Sequence, residues 1–259
     1  MPELPDVEAD RRLLAECASH RTIERVDVYD SGVLHDVDAA ELSARLVGRR
    51  FTRPERRGKW LLAHTGGPTL LCHFGMTGEL ACCAREDALH PHDRVVLALG
   101  THRELRYRDQ RKLKGLWLVD DPDAAPQLRA QGPDALHIAP ASFREAVGGR
   151  RGALKSALMD QTVLAGLGNL LVDEILWRAR LAPTHPAATL DKQSLTAVHR
   201  SMCRTLDAAL PTGRVPADEG WLTGARDRAD PHCPRCGTGL RRQHVGGRAT
   251  VWCPHCQPE

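Results

Sequence analysis

The hydrophobic positions change their spacing part-way along the chain. Up to residue 119 they fall in short runs, alternating with polar residues or wholly apolar, at 22–29, 60–64, 69–74, 94–99, 104–107 and 116–119. Glycine and proline separate these runs. Alternation places successive side chains on opposite faces of an extended strand, so the runs predict a mostly β N-terminal domain of sandwich type. Two helices interrupt it. Pro5-Asp6 opens the first, with Val7, Leu13, Leu14 and Cys17 able to share a buried stripe, and the second covers 39–46. From residue 120 the segment DDPDAAPQLRAQGPDAL reads as a hinge. Beyond it the period becomes helical over 142–147, 154–160, 169–179 and 194–210. The stretch 211–232 has no clear period and leads into a cysteine cluster. The expected architecture is α+β and multidomain. A β-sandwich domain spans 1–121, a hinge 122–135, a helical domain 136–228 and a metal-binding finger 229–259.

Composition narrows the function classes. A hydrophobic content of 42% supports real cores. No apolar stretch approaches the ~18 residues of a membrane span, and the start lacks a basic-then-apolar leader pattern. A soluble, cytoplasmic, monomeric protein with no membrane partner is expected. A net charge of +3 does not by itself announce a polyanion partner, but its distribution is uneven. Residues 49–60 (RRFTRPERRGKW) and 103–114 (RELRYRDQRKLK) are both strongly basic. Such clusters serve either as solvated sheet edges or as surfaces that track phosphates.

The nine cysteines argue for metal rather than a disulfide framework. Cys233-Pro-Arg-Cys236 and Cys253-Pro-His-Cys256 are two CxxC pairs, and the interval between them fits a hairpin turning at Gly246-Gly247. Four thiolates on two tight turns make a closed tetrahedral zinc site with no open coordination position, so one structural Zn2+ is expected. His232, His244 and His255 are alternative ligands nearby. Cys17, Cys72, Cys82, Cys83 and Cys203 are expected to be core or incidental thiols.

Three further segments carry candidate chemistry. If Met1 is removed, Pro2 becomes a secondary amine with the Glu3 carboxyl group next door. An α-amino group titrates at roughly 7.7–8.0, so part of it is nucleophilic at neutral pH. Its attack on an aldehyde-like carbon gives an iminium ion that labilises adjacent bonds. The turn Ala165-Gly-Leu-Gly-Asn169 precedes a helix, where Asn169 can cap and the N-terminus attracts phosphate. Lys59 is one of only five lysines, and it offers a compact ammonium within an Arg-rich run. Arg248, just past the glycine turn, can clamp a phosphate through both guanidinium nitrogens.

Taken in order, the start MPELPDVE, the GKW lysine, HFGMTG, RYRDQRK, LMDQTVLAGLGN and the four-cysteine finger resemble the formamidopyrimidine-DNA glycosylase / endonuclease VIII family of base-excision repair enzymes. The resemblance covers essentially the whole chain. It implies a helix–two-turn–helix bundle in the helical domain, and duplex DNA containing damaged bases or abasic sites as partner. It implies Pro2 as the nucleophile on deoxyribose C1′, Glu3 as the acid toward the sugar ring oxygen, and Lys59 as a donor near the lesion. Asn169 and Arg248 would grip phosphates flanking the flipped nucleotide, and Lys155 would lie close to the DNA. Met76 would fill the gap left by base extrusion, with Arg111 facing the orphaned base and Leu113 as a further wedge. Glu174 matches a position near the active site. The implied activity is bifunctional: excision of oxidised bases, then β,δ-elimination through the Pro2 iminium.

The chain departs from the family pattern at Leu113, where phenylalanine is common, and at Lys114, where glycine is. Leucine fills space but cannot stack on a base. The stretch 211–232 looks shorter than in typical formamidopyrimidine-type members, where a loop closes over flipped 8-oxoguanine, so oxidised pyrimidines, hydantoins or formamidopyrimidines are expected rather than a preference for 8-oxoguanine. Leu4 leans to the formamidopyrimidine branch. A non-catalytic binder of damaged DNA on the same scaffold is the alternative, and the presence of Pro2, Glu3 and Lys59 weighs against it. A zinc-ribbon transcription or RNA-processing factor would explain the finger and nothing at Pro2.

Overall fold

The structure, a computed structural model, describes residues 1–258; Glu259, the last residue of the expected finger segment, lies outside the described residues. The chain divides into two compact units. The first comprises Met1–Pro2 and Asp6–Arg129, the second Glu3–Pro5 and the chain from Ala130 onward.

In chain order the first unit contains α1 (Leu4–Ala18), β1 (Ile23–Val28), β2 (Leu34–His35), α2 (Ala39–Leu46), β3 (Glu55–Arg57) and β4 (Trp60–His64). It continues through β5 (Thr69–His73), β6 (Glu79–Ala84), β7 (Asp93–Leu99), β8 (Arg103–Arg108), β9 (Leu116–Val119) and α3 (Pro126–Arg129). Two sheets form, in the orders β1-β7-β8-β6 and β2-β9-β5-β4-β3. All ladders are antiparallel except the short pairing of β2 with β9. The inward positions of both sheets, among them Leu61, Leu70, Leu97 and Leu105, share one core with Val7 and Leu14 of α1 and Leu42 and Leu46 of α2. Each fully buried leucine of this kind is worth roughly 1.5–3 kcal/mol. The alternate positions of β4, β5 and β9 are also covered: Trp60, Leu62, Leu71 and Trp117 pack with Leu128 of α3. This double burial explains why β4 and β5 read as continuous apolar runs.

The sandwich expectation holds, while three strands escape the periodicity. β3 is the polar triplet ERR, β2 has two residues, and β6 is ELACCA. The expected hinge contains the helical turn of α3. One expectation is corrected: Cys17 and Cys82 are not incidental thiols but form a disulfide between α1 and β6. Cys17 is buried among the core residues, and the same strand also meets α1 where the Leu80 N–H donates to Asp10 Oδ1 at 3.1 Å.

The second unit contains α4 (Pro140–Val147), α5 (Leu154–Met159), α6 (Asn169–Ala179), α7 (Lys192–Ala209), α8 (Leu222–Arg226) and the hairpin of β10 (Arg241–Val245) and β11 (Arg248–Trp252). Leu154, Leu158, Leu171, Ile175, Val198 and Met202 build its core at helical spacing. A small satellite core of Trp177, Leu222, Val251 and the finger cysteines Cys233, Cys253 and Cys256 lies under the hairpin. The hairpin turns at Gly246 (φ 57°) and Gly247 (φ 73°). A two-residue turn with both residues left-handed is the geometry that matches the twist of the flanking strands. No helix among the described residues is long and apolar enough to cross a membrane.

Candidate active site and nucleic-acid interface

The residues singled out in the first unit lie at hairpin tips and loops. Gly58 and Lys59 form the two-residue turn between β3 and β4, with Gly58 left-handed (φ 57°) and Lys59 half-buried. Pro2 is half-buried, and its nitrogen is an amide as long as Met1 precedes it. His73 ends β5, its ring edge-on to Trp60. Burial pushes its pKa down to about 4, with the Lys114 and Lys59 ammonium groups adding to the effect. The Gly75 N–H donates to its Nδ1 at 3.1 Å, a bond that only a ring unprotonated at that nitrogen can accept.

Met76, Arg111 and Leu113 come from two loops that the structure braces together. Thr77 Oγ1 donates to Asp109 Oδ1 at 2.5 Å, and the Arg111 N–H donates to both Thr77 Oγ1 and Asp109 Oδ1 at 3.0 Å. Gly75 (φ 58°) lets the first loop pass close to Leu113 and Lys114. The Arg111 guanidinium reaches the Met76 sulfur at 3.0 Å. Met76 is 39% and Leu113 51% exposed. Two large apolar side chains left outside the core at a braced site are informative in a way that scattered exposed leucines are not.

The basic runs divide. Arg106 is buried, with its guanidinium on Glu104 (2.8 Å) and Asp93 (3.2 Å) and donating to the Ala88 and Asp87 carbonyls. Arg108 also pairs with Asp93, at 2.5 Å. The Arg56 side chain lies 3.5 Å from Glu8. Arg45 and Arg57 pair with Asp120 and Asp123. These arginines hold the fold, leaving Arg111, Lys112 and Lys114 as the members of the second run at the exposed loop.

In the second unit Glu3 has an unexpected place. It is 1% exposed, and its carboxylate lies on the first turn of α6. Oε2 accepts from Gly168 N (3.1 Å) and Leu171 N (3.0 Å), and Oε1 accepts from Leu170 N (2.8 Å). Helix N-termini leave unpaired N–H groups and favour negative charge. Both glycines of the AGLGN turn are needed for this fit. A Cβ on Gly168 would fall 2.2 Å from Glu3 Cδ, and one on Gly166 (φ 110°) would fall 2.7 Å from a Leu4 methyl. Gln161 holds the turn from below, accepting from Gly166 N and donating to the Met159 and Leu167 carbonyls. The sequence drew no attention to Gln161, since an amide in a polar turn carries no signal until its backbone partners are known.

Asn169 is therefore not the cap. Gly168 takes that position without a side-chain bond, and Asn169 Nδ2 instead donates to the Ala249 carbonyl at 3.0 Å. That bond sets Asn169 beside the exposed Arg248 at the tip of the finger hairpin. Lys155, which the resemblance sets close to the DNA, has an interior place. It is completely buried, donating to Asp173 Oδ1 (2.6 Å) and Thr250 Oγ1 (2.7 Å). Arg226 pairs with the other Asp173 oxygen at 3.1 Å, and the Val251 N–H reaches it at 3.2 Å. Glu174, whose role the resemblance left open, is fully buried. It accepts from Arg178 Nε (2.7 Å) and from Leu222 N (2.8 Å), so it caps α8 and orders part of the stretch 211–232.

The four cysteine sulfurs lie within 4.8 Å of one another. The closest pairs are Cys236–Cys256 at 3.5 Å, Cys236–Cys253 at 3.6 Å and Cys233–Cys256 at 3.9 Å. Sulfurs at the vertices of a tetrahedron with bonds of ~2.3 Å stand about 3.8 Å apart, so the set fits a tetrahedral metal. Trp177 Nε1 donates to Cys233 Sγ at 3.3 Å, the kind of outer hydrogen bond that orients a thiolate ligand. None of the three histidines belongs to the cluster.

Such a combination defines a class: a β-sandwich unit with exposed apolar side chains on two braced loops, and a helix–two-turn–helix unit closed by a four-cysteine finger. The N-terminal-domain profile of formamidopyrimidine-DNA glycosylase matches residues 1–116, and the H2TH-domain profile of the same enzyme matches 130–217. The chain is 35% identical to the formamidopyrimidine-DNA glycosylase of Geobacillus kaustophilus, over 99% of this chain and 100% of the relative. It is 36% identical to that of Symbiobacterium thermophilum, over 100% of this chain and 90% of the relative. Among solved structures, a Lactococcus lactis Fpg bound to abasic-site DNA superposes with a TM-score of 0.89 at 26% identity, with both chains fully covered. The chain belongs to the formamidopyrimidine-DNA glycosylase / endonuclease VIII family.

Proposed function

We propose that this protein is a bifunctional DNA glycosylase and abasic-site lyase of base-excision repair, acting on duplex DNA that carries oxidised bases. The observation that carries the reading is the fixed carboxylate of Glu3, one peptide bond from Pro2 and held by the N–H groups of Gly168, Leu170 and Leu171 where the AGLGN turn enters α6. The relatives are named as formamidopyrimidine-DNA glycosylases, and the solved neighbours include complexes with DNA containing an abasic site or a formamidopyrimidine lesion.

In the proposed reaction Met1, 43% exposed, is first removed. The Pro2 amine attacks C1′ of the flipped nucleotide, the C1′–N bond breaks, and the base leaves with a proton. Glu3 delivers a proton to the ring oxygen as the sugar opens to the iminium ion. Loss of a C2′ proton then expels the 3′ phosphate, and a second elimination expels the 5′ phosphate. Hydrolysis of the imine returns Pro2. Lys59 serves as a donor near the lesion, and Asn169 and Arg248 grip flanking phosphates. Met76, Arg111 and Leu113 fill the space vacated by the base, which matters because flipping costs a few kcal/mol of unstacking. Zinc held by Cys233, Cys236, Cys253 and Cys256 would be structural, ordering the hairpin that carries Arg248.

The test is borohydride trapping on duplex DNA with an abasic site, followed by peptide mapping. A covalent adduct at Pro2 is the expected result. Tight binding without an adduct, in protein whose intact mass shows Met1 removed, would overturn the catalytic reading in favour of a damage-binding protein.

A further inference from the structure

Two groupings of side chains able to bind phosphate lie at the ends of α6 in the second unit. One is the helix start, where Asn169 and Arg248 lie. The other is its far end, eleven residues on, or about 16 Å at 1.5 Å per residue. There Arg178, Arg180, Arg200, Arg204 and Arg235 line one open cleft of about 380 Å3. An adjoining cleft of about 400 Å3 shares Arg180 and Arg235 and adds His255 of the finger. Arg200 and Arg204 are one turn apart on α7, which places both side chains on the same face.

Two of the five guanidiniums are already fixed in place. Arg178 bonds Glu174 and lies over the Trp221 ring, and Arg235 lies over the Trp177 ring and donates to its carbonyl. Arg180, Arg200 and Arg204 are exposed, and among the described residues none of them has a carboxylate within ion-pair distance. Like charges brought together without acids cost energy unless an anion enters. Every one of the five is arginine, whose planar fork suits phosphate.

We propose that this cleft is a second phosphate-binding surface for duplex DNA, separate from the grip of Asn169 and Arg248. The choice of DNA over an acidic protein segment rests on the absence of an apolar anchor. Protein interfaces take most of their affinity from buried aromatic and large aliphatic side chains. Among the described residues the large exposed hydrophobics are Met1, Tyr29, Val47, Met76, Leu89 and Leu113, none of which lines either cleft. The proposal rests on the DNA-binding function argued above. The surface would hold undamaged duplex through charge alone, which favours one-dimensional search over recognition of a lesion.

The experiment compares wild type with the triple variant Arg180→Ala/Arg200→Ala/Arg204→Ala, binding undamaged duplex across a salt series. Each lost phosphate contact lowers the slope of log K against log salt by about 0.9, so the triple variant should lose about 2.7. Single-turnover nicking of a short abasic-site duplex at saturating enzyme and low salt should be unchanged. The Lys triple variant, which keeps the charge, should retain most of the slope and serves as the folding control. An unchanged slope in the Ala variant overturns the proposal, as does retention of polyglutamate on a column by wild type with no change in DNA slope. A parallel loss of single-turnover nicking also overturns it, by making the cleft part of the lesion grip. Absence of any salt-dependent DNA binding by wild type would instead sink the functional reading itself.

Discussion

Gly168→Ala is the sharpest perturbation of the proposed chemistry, because one methyl group decides where Glu3 can sit. The added Cβ would lie 2.2 Å from Glu3 Cδ and 2.5 Å from Oε1, far inside van der Waals contact. The carboxylate must leave its three N–H donors, since the helix backbone on the other side cannot move without disturbing α6. Hydrogen bonds to a charged group contribute about 1.5–3 kcal/mol each, though not additively, so displacement should cost a few kcal/mol of local order. A catalytic group misplaced by an ångström costs on the order of 100-fold in rate. The expected result is a 100-fold or larger fall in single-turnover excision, with the affinity for abasic-site duplex within a few-fold of wild type. Glu3→Gln should lower the rate on its own, and adding Gly168→Ala to it should then change little. Wild-type rates in Gly168→Ala, or two fully additive losses, would refute the claim that the glycine acts through Glu3.

Two further outcomes concern stability. Cys17→Ser opens a disulfide that closes a separation of 65 residues, which the chain-entropy relation values at about 4 kcal/mol; denaturant midpoints should fall accordingly, and a reductant should lower wild type but not the variant. Burial pushes the Asp10 carboxyl up to about 7, aided by Glu79 and Asp6 and opposed by the Leu80 N–H. Because the folded value exceeds the unfolded one of about 3.9, this group favours folding most below pH 4 and loses that contribution as pH rises towards 7. Asp10→Asn keeps the acceptor for Leu80 and removes the titration. It should therefore stabilise the protein at pH 8 by up to about 4 kcal/mol relative to its effect at pH 4. Equal effects at both pH values would contradict the assignment.

What could be read from the chain alone depended on how local its cause was. The CxxC pairs, the Gly246-Gly247 turn and the apolar runs of β4, β5, β7, β8 and β9 are local patterns, and the structure forms each of them. β3 and β6 were missed because ERR carries no apolar alternation and ELACCA carries an ambiguous one. The Cys17–Cys82 bond and the Gly168–Glu3 contact join residues 65 and 165 positions apart, where no local spacing can point from one to the other. The two glycines of the turn were visible; what they make room for was not. Asn169 was expected at the cap because cap preference is a local rule. A distant carboxylate satisfied the same N–H groups and freed the asparagine to tie down the finger hairpin.

The buried Lys155–Asp173–Arg226 group explains how that hairpin is held, and it alters how one obvious experiment should be read. Burial pulls the Lys155 ammonium down and pushes the Asp173 carboxyl up, while their 2.6 Å contact and Arg226 act to keep the aspartate charged. Its members come from α5, α6 and α8, and they reach Ala249, Thr250 and Val251 on β11, the three residues that follow Arg248. Removing one partner of a buried ion pair costs about 3–5 kcal/mol, because the other charge is left without compensation. Truncating Lys155 should therefore move β11 and Arg248 with it. A fall in DNA affinity in Lys155→Ala would thus report a displaced Arg248, and a direct contact would require that fall to persist when Arg248 is already alanine. Position in the interior makes Lys155 a residue that would set the proposed grip on phosphate through the finger.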